Sequence, residues 1–415
     1  MFDAAPAAGK RSGRRVLVRT AFDRLMRGLV VHGSLSLRYP DGSQTRVSGG
    51  PGPALTLEIR SWAAARQIVL NPGLRFGEAY MDGTVVPVDC RIYDILDIVM
   101  TAERRGGLTP LLTLRESLSR MGRRWAQFNP VRRAQRNVAH HYDLNGTLYD
   151  LLLDRDRQYS CAYFRRGDET LDEAQLAKKR HIASKLLLTR PGLSVLDIGC
   201  GWGGMALTLA REYGAQVTGI TLSREQLEAA RARAREEGLE DRVRFELVDY
   251  RAVTGSFDRI VSVGMFEHVG INHYRHFFNV VRDRLTEDGV ALIHAIGRSH
   301  GPDATNPWLT KYIFPGGYSP ALSEVMPPVE KSGLVATDIE ILRLHYTRTL
   351  EAWRANLDRN RDAIANLYDE RFCRMFEFYL AGAELAFRRS GHMIWQMQLA
   401  RRQDAVPLTR DYITD

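Results

Sequence analysis

The chain has 415 residues, an ordinary apolar fraction of 44% and a formal net charge of +9. No apolar run approaches the roughly 18 residues that a bilayer span needs, and the N-terminus lacks the apolar core of a secretory signal. The four cysteines, widely separated in sequence, form no Cys-x-x-Cys pair. The composition therefore predicts a soluble, cytoplasmic enzyme with room for two domains and without a disulfide framework or a metal site.

Residues 1–130 are predicted to form a small α+β domain followed by a basic connector. Residues 33–39 alternate as a strand does, a Pro-Asp-Gly turn follows, and residues 45–47 begin the return strand. Another strand is expected over 54–59 and a helix over 61–70, which the Asn-Pro-Gly sequence at 71–73 ends. None of these residues carries obvious chemistry, so the domain is expected to have an accessory, lipid-associated role.

Two basic stretches in this region indicate an anionic partner. Between Thr101 and His140 there are nine arginines and two acids, Glu103 and Glu116. Near the start, apolar residues recur at helical spacing among arginines, namely Val18, Phe22, Leu25, Met26 and Leu29. A solvated basic face would give the same pattern. The functional interpretation is attraction to a phospholipid surface or to nucleic acid, which composition alone does not separate.

From residue 131 to 415 the pattern is α/β. Strands are predicted at 193–198, 216–221, 243–248, 257–263 and 289–296, alternating with helices at 202–213 and 223–237, with Ser223 as a helix cap. Later strands are expected at 338–344 and 394–399, with a helical cap over about 350–390. This order predicts a doubly wound, Rossmann-like parallel sheet whose ligands bind beyond the carboxyl ends of the strands.

The glycine loop after the first of these strands is the strongest functional signal. Gly199, Gly201 and Gly204 have the spacing G-x-G-x-x-G, which lets a ligand approach the backbone. A dinucleotide site would place an acid at the end of the next strand, but the chain there reads Thr221–Gln226, with hydroxyls and an amide. Asp197 is placed to face a positive group, and Asp249 to accept a hydrogen bond from an adenine amino group. The pattern favours S-adenosylmethionine.

Further polar residues fall near the ends of predicted strands. Glu267 follows the fourth strand of the sheet, His294 lies within the fifth with Ile296 near its end, and Tyr346 follows a later strand. Upstream of the sheet, Cys161 is a further candidate. Three of these residues have a structural alternative: Glu267 as part of a helix cap, His294 as a core histidine, and Cys161 as a small buried apolar residue. Because the carboxyl ends of parallel strands share one edge, their convergence on one face favours a catalytic site.

Five segments together resemble the cyclopropane-fatty-acyl-phospholipid synthases and the related mycolic acid cyclopropane synthases: Tyr159–Phe164, Leu196–Gly203, Thr221–Gln226, Gly264–Gly270 and Lys311–Pro315. The similarity runs from about residue 135 to the C-terminus. A looser one covers the N-terminal domain through Gly77–Gly83. The family often carries a cysteine in its C-terminal helix, where this chain has Ala383.

The resemblance implies S-adenosylmethionine as cofactor and the cis double bond of an unsaturated phospholipid acyl chain as substrate. It implies cofactor contacts from the following residues: Tyr159, Ser160, Asp197, Gly199, Gly201, Trp202, Gly203, Thr221, Ser223, Gln226, Asp249, Tyr250 and Arg251. It also implies a bound bicarbonate as the base, held by the catalytic residues Cys161, Glu267, His294, Ile296 (through its backbone) and Tyr346.

Two alternative activities remain open at the level of sequence. A relative could methylate the same alkene and give a branched, hydroxylated or unsaturated product. A nucleic-acid methyltransferase would want an Asn/Asp-Pro-Pro-Tyr motif after the fourth strand, where this chain reads Gly264–His268. We therefore expect no nucleic-acid partner. The expected partners are unsaturated acyl chains, the anionic inner face of a membrane, to which the enzyme would bind peripherally, and a second copy in a homodimer.

Overall fold

The structure is a computed structural model that describes residues 7–104 and 146–414. The chain divides into two compact units, the first of Met1–Ser119, Asn306–Ile313 and Leu357–Ser390, the second of Arg120–Thr305, Phe314–Asn356 and Gly391–Asp415. This division differs from the predicted continuous domains 1–130 and 131–415. The later segments belong to the first unit because their side chains pack with the N-terminal residues: Ala381 and Leu385 are buried in the same core, and the partly buried Phe378 packs against it.

The described helices and strands are numbered here in chain order. The helices are α1 Ala7–Leu29, α2 Trp62–Leu70, α3 Pro72–Met81, α4 Ile92–Arg104, α5 Gly146–Leu152, α6 Leu171–Lys185, α7 Gly204–Tyr213, α8 Arg224–Glu236, α9 Tyr274–Arg284, α10 Pro307–Tyr312, α11 Leu322–Ser332, α12 His345–Arg359, α13 Arg361–Leu367, α14 Glu370–Arg389 and α15 Asp411–Thr414. The strands are β1 Ser34–Arg38, β2 Gln44–Ser48, β3 Ala54–Ile59, β4 Val85–Val88, β5 Ser194–Ile198, β6 Gln216–Thr221, β7 Val243–Leu247, β8 Phe257–Val263, β9 Leu285–Arg298, β10 Val335–Ile341 and β11 His392–Ala400.

The first unit is built on a four-stranded sheet of order β2-β1-β3-β4, in which β1 and β3 are parallel and the other pairs antiparallel. The strands predicted at 33–39, 45–47 and 54–59 are confirmed. Ser61 caps α2 by accepting a hydrogen bond from the Ala64 amide, and Asn71 ends α2 where the Asn-Pro-Gly break was expected. The apolar residues of these strands and of α1–α4 form one core.

The apolar stripe of α1 belongs to that core. Phe22, Leu25, Met26 and Leu29 are each at most 8% exposed. The helical spacing of these apolar residues is therefore explained by packing within their own unit. The arginine-rich stretch Thr101–His140 lies outside the described residues apart from its first positions.

Two motifs far apart in sequence meet inside the first unit. Trp308 of α10 packs edge-on against Phe378 of α14, and its ring would collide with any side chain at Gly77. Buried Glu78, next to Gly77, accepts hydrogen bonds from Lys311 at 2.6 Å and from the Tyr312 hydroxyl at 2.8 Å. The motif that begins at Gly77 and the one that begins at Lys311 therefore share one packed and charge-paired contact.

The second unit is built on a seven-stranded sheet of order β10-β11-β9-β8-β5-β6-β7. Strands β5 to β9 pair in parallel, whereas β11 is antiparallel to both β9 and β10. Apolar side chains bury both faces, which explains the continuous apolar runs in the sequence. The prediction of a doubly wound α/β sheet is confirmed, and Ser223 caps α8 by accepting from the Gln226 amide.

One predicted strand end lies elsewhere. The strand expected over 338–344 is β10, which ends at Ile341, and helix α12 begins at His345. Tyr346 consequently lies in the first turn of a helix and does not follow a strand directly. Within the described residues, no helix combines the length and the apolarity that crossing a membrane requires.

Candidate active site

A cleft, called here the glycine-loop cleft, opens at the carboxyl ends of β5, β6 and β8 in the second unit. Most of the residues predicted to bind the cofactor line it: Tyr159, Ser160, Asp197, Gly199, Gly201, Trp202, Thr221, Gln226, Asp249, Tyr250 and Arg251. Two others shape its walls from behind, since Gly203 caps α7 and Ser223 caps α8. A parallel sheet creates such a crevice because every strand ends at the same edge.

The glycine loop has the backbone that its sequence requires. Gly199 and Gly201 adopt positive φ angles of 82° and 54°, which a residue with a side chain rarely adopts. A Cβ on Gly199 would also lie 2.9 Å from the Met265 side chain. A Cβ on Gly201 would point into open space within the cleft. The loop therefore leaves room for a ligand against its backbone.

Asp197, the penultimate residue of β5, lines the cleft and has one carboxylate oxygen without a hydrogen bond in the described ranges. It is 2% exposed, and its Oδ2 atom has no hydrogen-bond partner among the described residues. Burial raises the pKa of this carboxyl to about 7, although the nearby charge of Lys178 opposes the shift. A cationic ligand would supply the missing partner. The residue is therefore suited to the positive amino-acid end of S-adenosylmethionine.

The other polar side chains of the cleft are held by one another. The Thr221 hydroxyl donates to Gln226 Oε1 at 2.9 Å. Asp249 accepts from the Arg251 guanidinium through both carboxylate oxygens, at 2.8 and 2.6 Å, and from its backbone amide. The carboxylate of Asp249 is thus fixed in direction, and its remaining lone pairs stay able to accept from an adenine amino group.

Aromatic rings continue from the cleft to Tyr346. Tyr159, which lines the cleft, stacks on Trp353 at 5.1 Å between ring centroids, and Trp353 meets Tyr346 edge-on at 5.8 Å. On its other side Tyr159 contacts Tyr149, which packs against Trp202. We call these five residues the aromatic row. Faces of aromatic rings carry negative charge density, so the row is suited to a positive centre.

Glu267 lies in a 3₁₀ turn, Phe266–His268, that follows β8. Its Oε1 atom accepts from the Ile296 amide of β9 at 2.6 Å, while Oε2 has no described partner. Burial raises the pKa of this carboxyl to about 7, against the effect of the Ile296 bond. Ile296 was predicted to act through its backbone. Its N–H donates to Glu267, so the role it would have is to orient that carboxyl group.

His294 lies two residues before Ile296 on β9 and is 1% exposed. Its Nδ1 atom is 3.2 Å from the side-chain nitrogen of Gln396 on β11, and Nε2 has no described partner. Burial lowers the pKa of the imidazole well below its usual value, and Lys178 and Lys185 add to the effect. The ring is therefore neutral at neutral pH.

Cys161 is buried, and burial raises the pKa of its thiol far above the usual value. Its neighbours are the Ala162 carbonyl and the hydroxyl of Thr349 on α12. No base that would generate a thiolate contacts it among the residues described. The site therefore holds Cys161 as a thiol that shapes a wall.

Lys178 is a site residue that sequence reasoning missed. It is fully buried in α6, and its ammonium donates to Gln158 at 2.6 Å and to the Ser160 hydroxyl at 2.9 Å. Burial lowers its pKa to about 8, and its charge acts on Cys161, Asp197 and His294. In sequence it precedes Lys179 on a charged helix, so nothing distinguishes it from a solvated lysine.

Lys178 thus links the cleft residues Ser160 and Asp197 with Cys161 and His294, which lie outside the cleft lining. We call the following residues the buried polar cluster: Cys161, Lys178, Glu267, His294 and Gln396. The segment His141–Asp143, also noted in the sequence, lies outside the described residues. Ala383 lies in α14 of the first unit and is half-buried.

A parallel sheet with a glycine-loop cleft, an unpaired buried carboxylate and no acid at the end of β6 defines the class of S-adenosylmethionine-dependent methyltransferases. Comparison with known proteins narrows the class. The family model of mycolic acid cyclopropane synthetase matches residues 130–397. The chain belongs to this family.

Individual relatives agree with that membership. A cyclopropane-fatty-acyl-phospholipid synthase of Escherichia coli is 38% identical over 85% of this chain and 89% of its own length. A probable fatty acid methyltransferase of Pseudomonas putida is 37% identical over 86% of this chain and 90% of its own. Among solved structures, the mycolic acid cyclopropane synthase CmaA1 in complex with SAH and CTAB superposes with a TM-score of 0.61 at 33% identity, covering 66% of this chain and 99% of that one.

Proposed function

We propose that this enzyme transfers the methyl group of S-adenosylmethionine to the cis double bond of unsaturated acyl chains in phospholipids and closes a cyclopropane ring. The observation that carries the proposal is the buried polar cluster. In it, Glu267 Oε2 and His294 Nε2 are buried and have no hydrogen-bond partner among the described residues. Methyl transfer to an amine or hydroxyl leaves the added methyl group intact, whereas ring closure requires a base that removes a proton from it. The names of the Escherichia coli and CmaA1 relatives support the same substrate chemistry.

The glycine-loop cleft is the proposed donor site. When bound there, S-adenosylmethionine supplies an electrophilic methyl group on a sulfonium. The loop backbone would accommodate the donor, Asp197 would pair with its ammonium, and Asp249 would accept from its adenine amino group. Because an alkene is a weak nucleophile, most of the catalysis has to come from holding the double bond in line with the methyl group, which is worth roughly 7–11 kcal/mol in well-oriented reactions.

The ring closes after a proton is lost. The alkene electron pair forms the new carbon–methyl bond, the donor leaves as a neutral thioether, and a positive charge develops on the neighbouring chain carbon. A base then takes one proton from the added methyl group, and the freed electron pair closes the three-membered ring. Rings of the aromatic row, Tyr346 among them, face this charge and keep out water, which would trap the cation as an alcohol.

Bicarbonate fits the buried polar cluster as the group that receives the proton. Its oxygens would accept from a donor at His294 Nε2 and its hydroxyl would donate to Glu267 Oε2, which are the two unpaired atoms. Lys178 adds positive potential that favours a bound anion. The Ile296 amide acts indirectly, because it orients Glu267 through the 2.6 Å hydrogen bond.

Fatty-acid profiling of cells that express the enzyme tests the reaction. We expect monounsaturated chains to gain one CH₂, with upfield cyclopropane protons in the ¹H NMR spectrum of the lipids. Stripping dissolved carbonate from the purified enzyme should lower turnover, and adding bicarbonate should restore it. A Glu267→Ala variant that still binds the donor serves as the inactive control.

A second candidate reaction gives a branched methyl product, and the probable fatty acid methyltransferase of Pseudomonas putida favours it. An unsaturated methyl-branched chain has the same mass as its cyclopropane isomer, so mass alone does not distinguish them. Vinylic or methyl-doublet signals without ring protons would establish the branched product and overturn the ring-closing proposal.

We also propose that the enzyme works on the anionic inner face of the cytoplasmic membrane. The nine-to-two excess of arginine over acid between Thr101 and His140 supports this, at about 1 kcal/mol for each basic residue near such a surface. Sedimentation with anionic vesicles should weaken as salt rises. Equal binding to neutral vesicles would contradict the proposal.

A further inference from the structure

Gln396 and His294 form a buried pair at directly opposed positions of two antiparallel strands, β11 and β9. Gln396 is 0% exposed and His294 1%. The Gln396 side-chain nitrogen lies 3.2 Å from His294 Nδ1, while its Oε1 atom and His294 Nε2 have no described partner. Each of these two side chains thus has one paired and one unpaired end.

The pairing sets which ring nitrogen carries the proton. With the Gln396 amide oriented as the structure has it, its nitrogen toward the ring, Nδ1 accepts, and a neutral imidazole carries its single N–H on the other nitrogen. The groups whose charges act on the ring are Lys178, Lys185 and His181, opposed by Glu340. Their net positive charge disfavours a second proton. His294 is then an Nε2–H donor at its unpaired end.

We propose that Gln396 is a positioning residue that holds His294 in the Nε2–H form, so that this nitrogen donates a hydrogen bond to the bicarbonate of the buried polar cluster. The identity of the ligand, bicarbonate, rests on the proposed function. The tautomer of His294 rests only on its contact with Gln396. The Nε2–H form agrees with the anion-holding role that the resemblance implies for His294, because an Nε2–H nitrogen has no lone pair with which to act as a base. The proton of the added methyl group therefore goes to the anion.

Histidine ¹⁵N NMR of the full-length protein tests the tautomer without any turnover. The His294→Gln variant identifies the His294 signals among those of the 11 histidines. We expect a protonated-type shift at Nε2 and an unprotonated-type shift at Nδ1. In Gln396→Met, which keeps the volume and removes the donor, both shifts should move toward intermediate values. An Nδ1–H form in the parent enzyme would overturn the proposal.

Gln398 provides a matched control two residues along the same strand. It is equally buried, and its amide donates at 2.6 Å to the Lys185 carbonyl and not to the cluster. Gln398→Met should lower the melting temperature at least as much as Gln396→Met, because Gln398 Oε1 also accepts from the Thr337 and Tyr412 hydroxyls, yet leave the His294 shifts unchanged. Movement of those shifts in the Gln398 variant as well would reduce Gln396 to a structural role and contradict the proposal.

Bicarbonate dependence gives a second measurement. In Gln396→Met the KM for bicarbonate should rise about two- to threefold, because only part of the His294 population then keeps the Nε2–H form, while the KM for the methyl donor and kcat at saturating bicarbonate stay near parental values. An unchanged bicarbonate KM in a variant with altered His294 shifts would overturn the anion-holding role. If the parent enzyme makes the lipid product without any dependence on bicarbonate, then bicarbonate is not the base and that part of the proposed function is wrong. The NMR result still decides the tautomer of His294 independently.

Discussion

The glycine-loop cleft and the buried polar cluster are adjacent, yet their polar atoms are paired to different extents. In the cleft, Asp249 is bound by Arg251 and Thr221 by Gln226, so most groups are held in place before any ligand arrives. In the cluster, Glu267 and His294 each leave one buried atom without a described partner. An unpaired buried polar group costs about 1–3 kcal/mol. The protein carries that cost at Glu267 and His294, where a small, enclosed anion is expected, and at Asp197, where the positive end of the donor is expected. The remaining hydrogen bonds of the cleft are made before the donor binds.

Replacing one carboxylate in each region by its amide should give the largest effect on activity. Glu267→Gln should lower kcat by about 10²-fold or more, in the range of lost acid–base catalysis, with donor affinity unchanged. Asp249→Asn should weaken donor binding and leave turnover of the saturated enzyme near normal. Calorimetry gives the donor affinity, and methyl incorporation into lipid gives the turnover. If the two variants behave alike, the functional separation of cleft and cluster is wrong.

Proton release on donor binding tests Asp197 within the cleft. Burial raises its pKa to about 7, so a large fraction of the carboxyl is protonated at pH 6 in the free enzyme. A bound cation favours the carboxylate, and binding should therefore release protons below pH 7. As pH is raised toward 7, donor affinity should increase by up to about tenfold per pH unit, and it should level off above pH 7. Calorimetry in buffers of different ionisation enthalpy measures the release, which Asp197→Asn should abolish.

Backbone strain in the glycine loop should weaken binding of the methyl donor and leave the rate of the chemical step unchanged. Gly199→Ala places a side chain at φ 82° and 2.9 Å from Met265, so the donor KM should rise by several-fold to about tenfold. Gly238→Ala is the control, since Gly238 has φ 64° with no atom near its added Cβ and lies outside the cleft lining. The control should lose stability alone. A raised donor KM in both variants would point to general destabilisation.

Cys161→Ser should have the smallest effect. Burial keeps the Cys161 thiol protonated by raising its pKa, and the reaction forms no bond to the protein. We expect turnover within about tenfold of the parent, with the loss arising from a hydroxyl in a small apolar space. A folded, donor-binding Cys161→Ser protein without measurable turnover would show that this thiol takes part in the chemistry.

Local sequence patterns are enough to predict the sheet of the second unit, the glycine loop and most of the cleft lining. Strand periodicity and glycine spacing are local, so the order of residues alone places Asp197 and Asp249 at the ends of their strands. Long continuous apolar runs such as those of β5 and β9 indicate strands buried on both faces. The capping serine before α8 is equally readable, since its hydrogen bond spans only three residues.

Contacts between residues distant in sequence determine the rest. The helical spacing of Phe22 and Leu25 does not tell whether a membrane or the protein's own core covers that face. Lys178 resembles a surface charge until α6 packs against the loop that carries Ser160. The pairing of His294 with Gln396 joins residues 102 positions apart, through a strand register that only the folded sheet creates. Burial and unpaired atoms are properties of the packed chain, so residue types alone do not reveal the chemistry of the cluster.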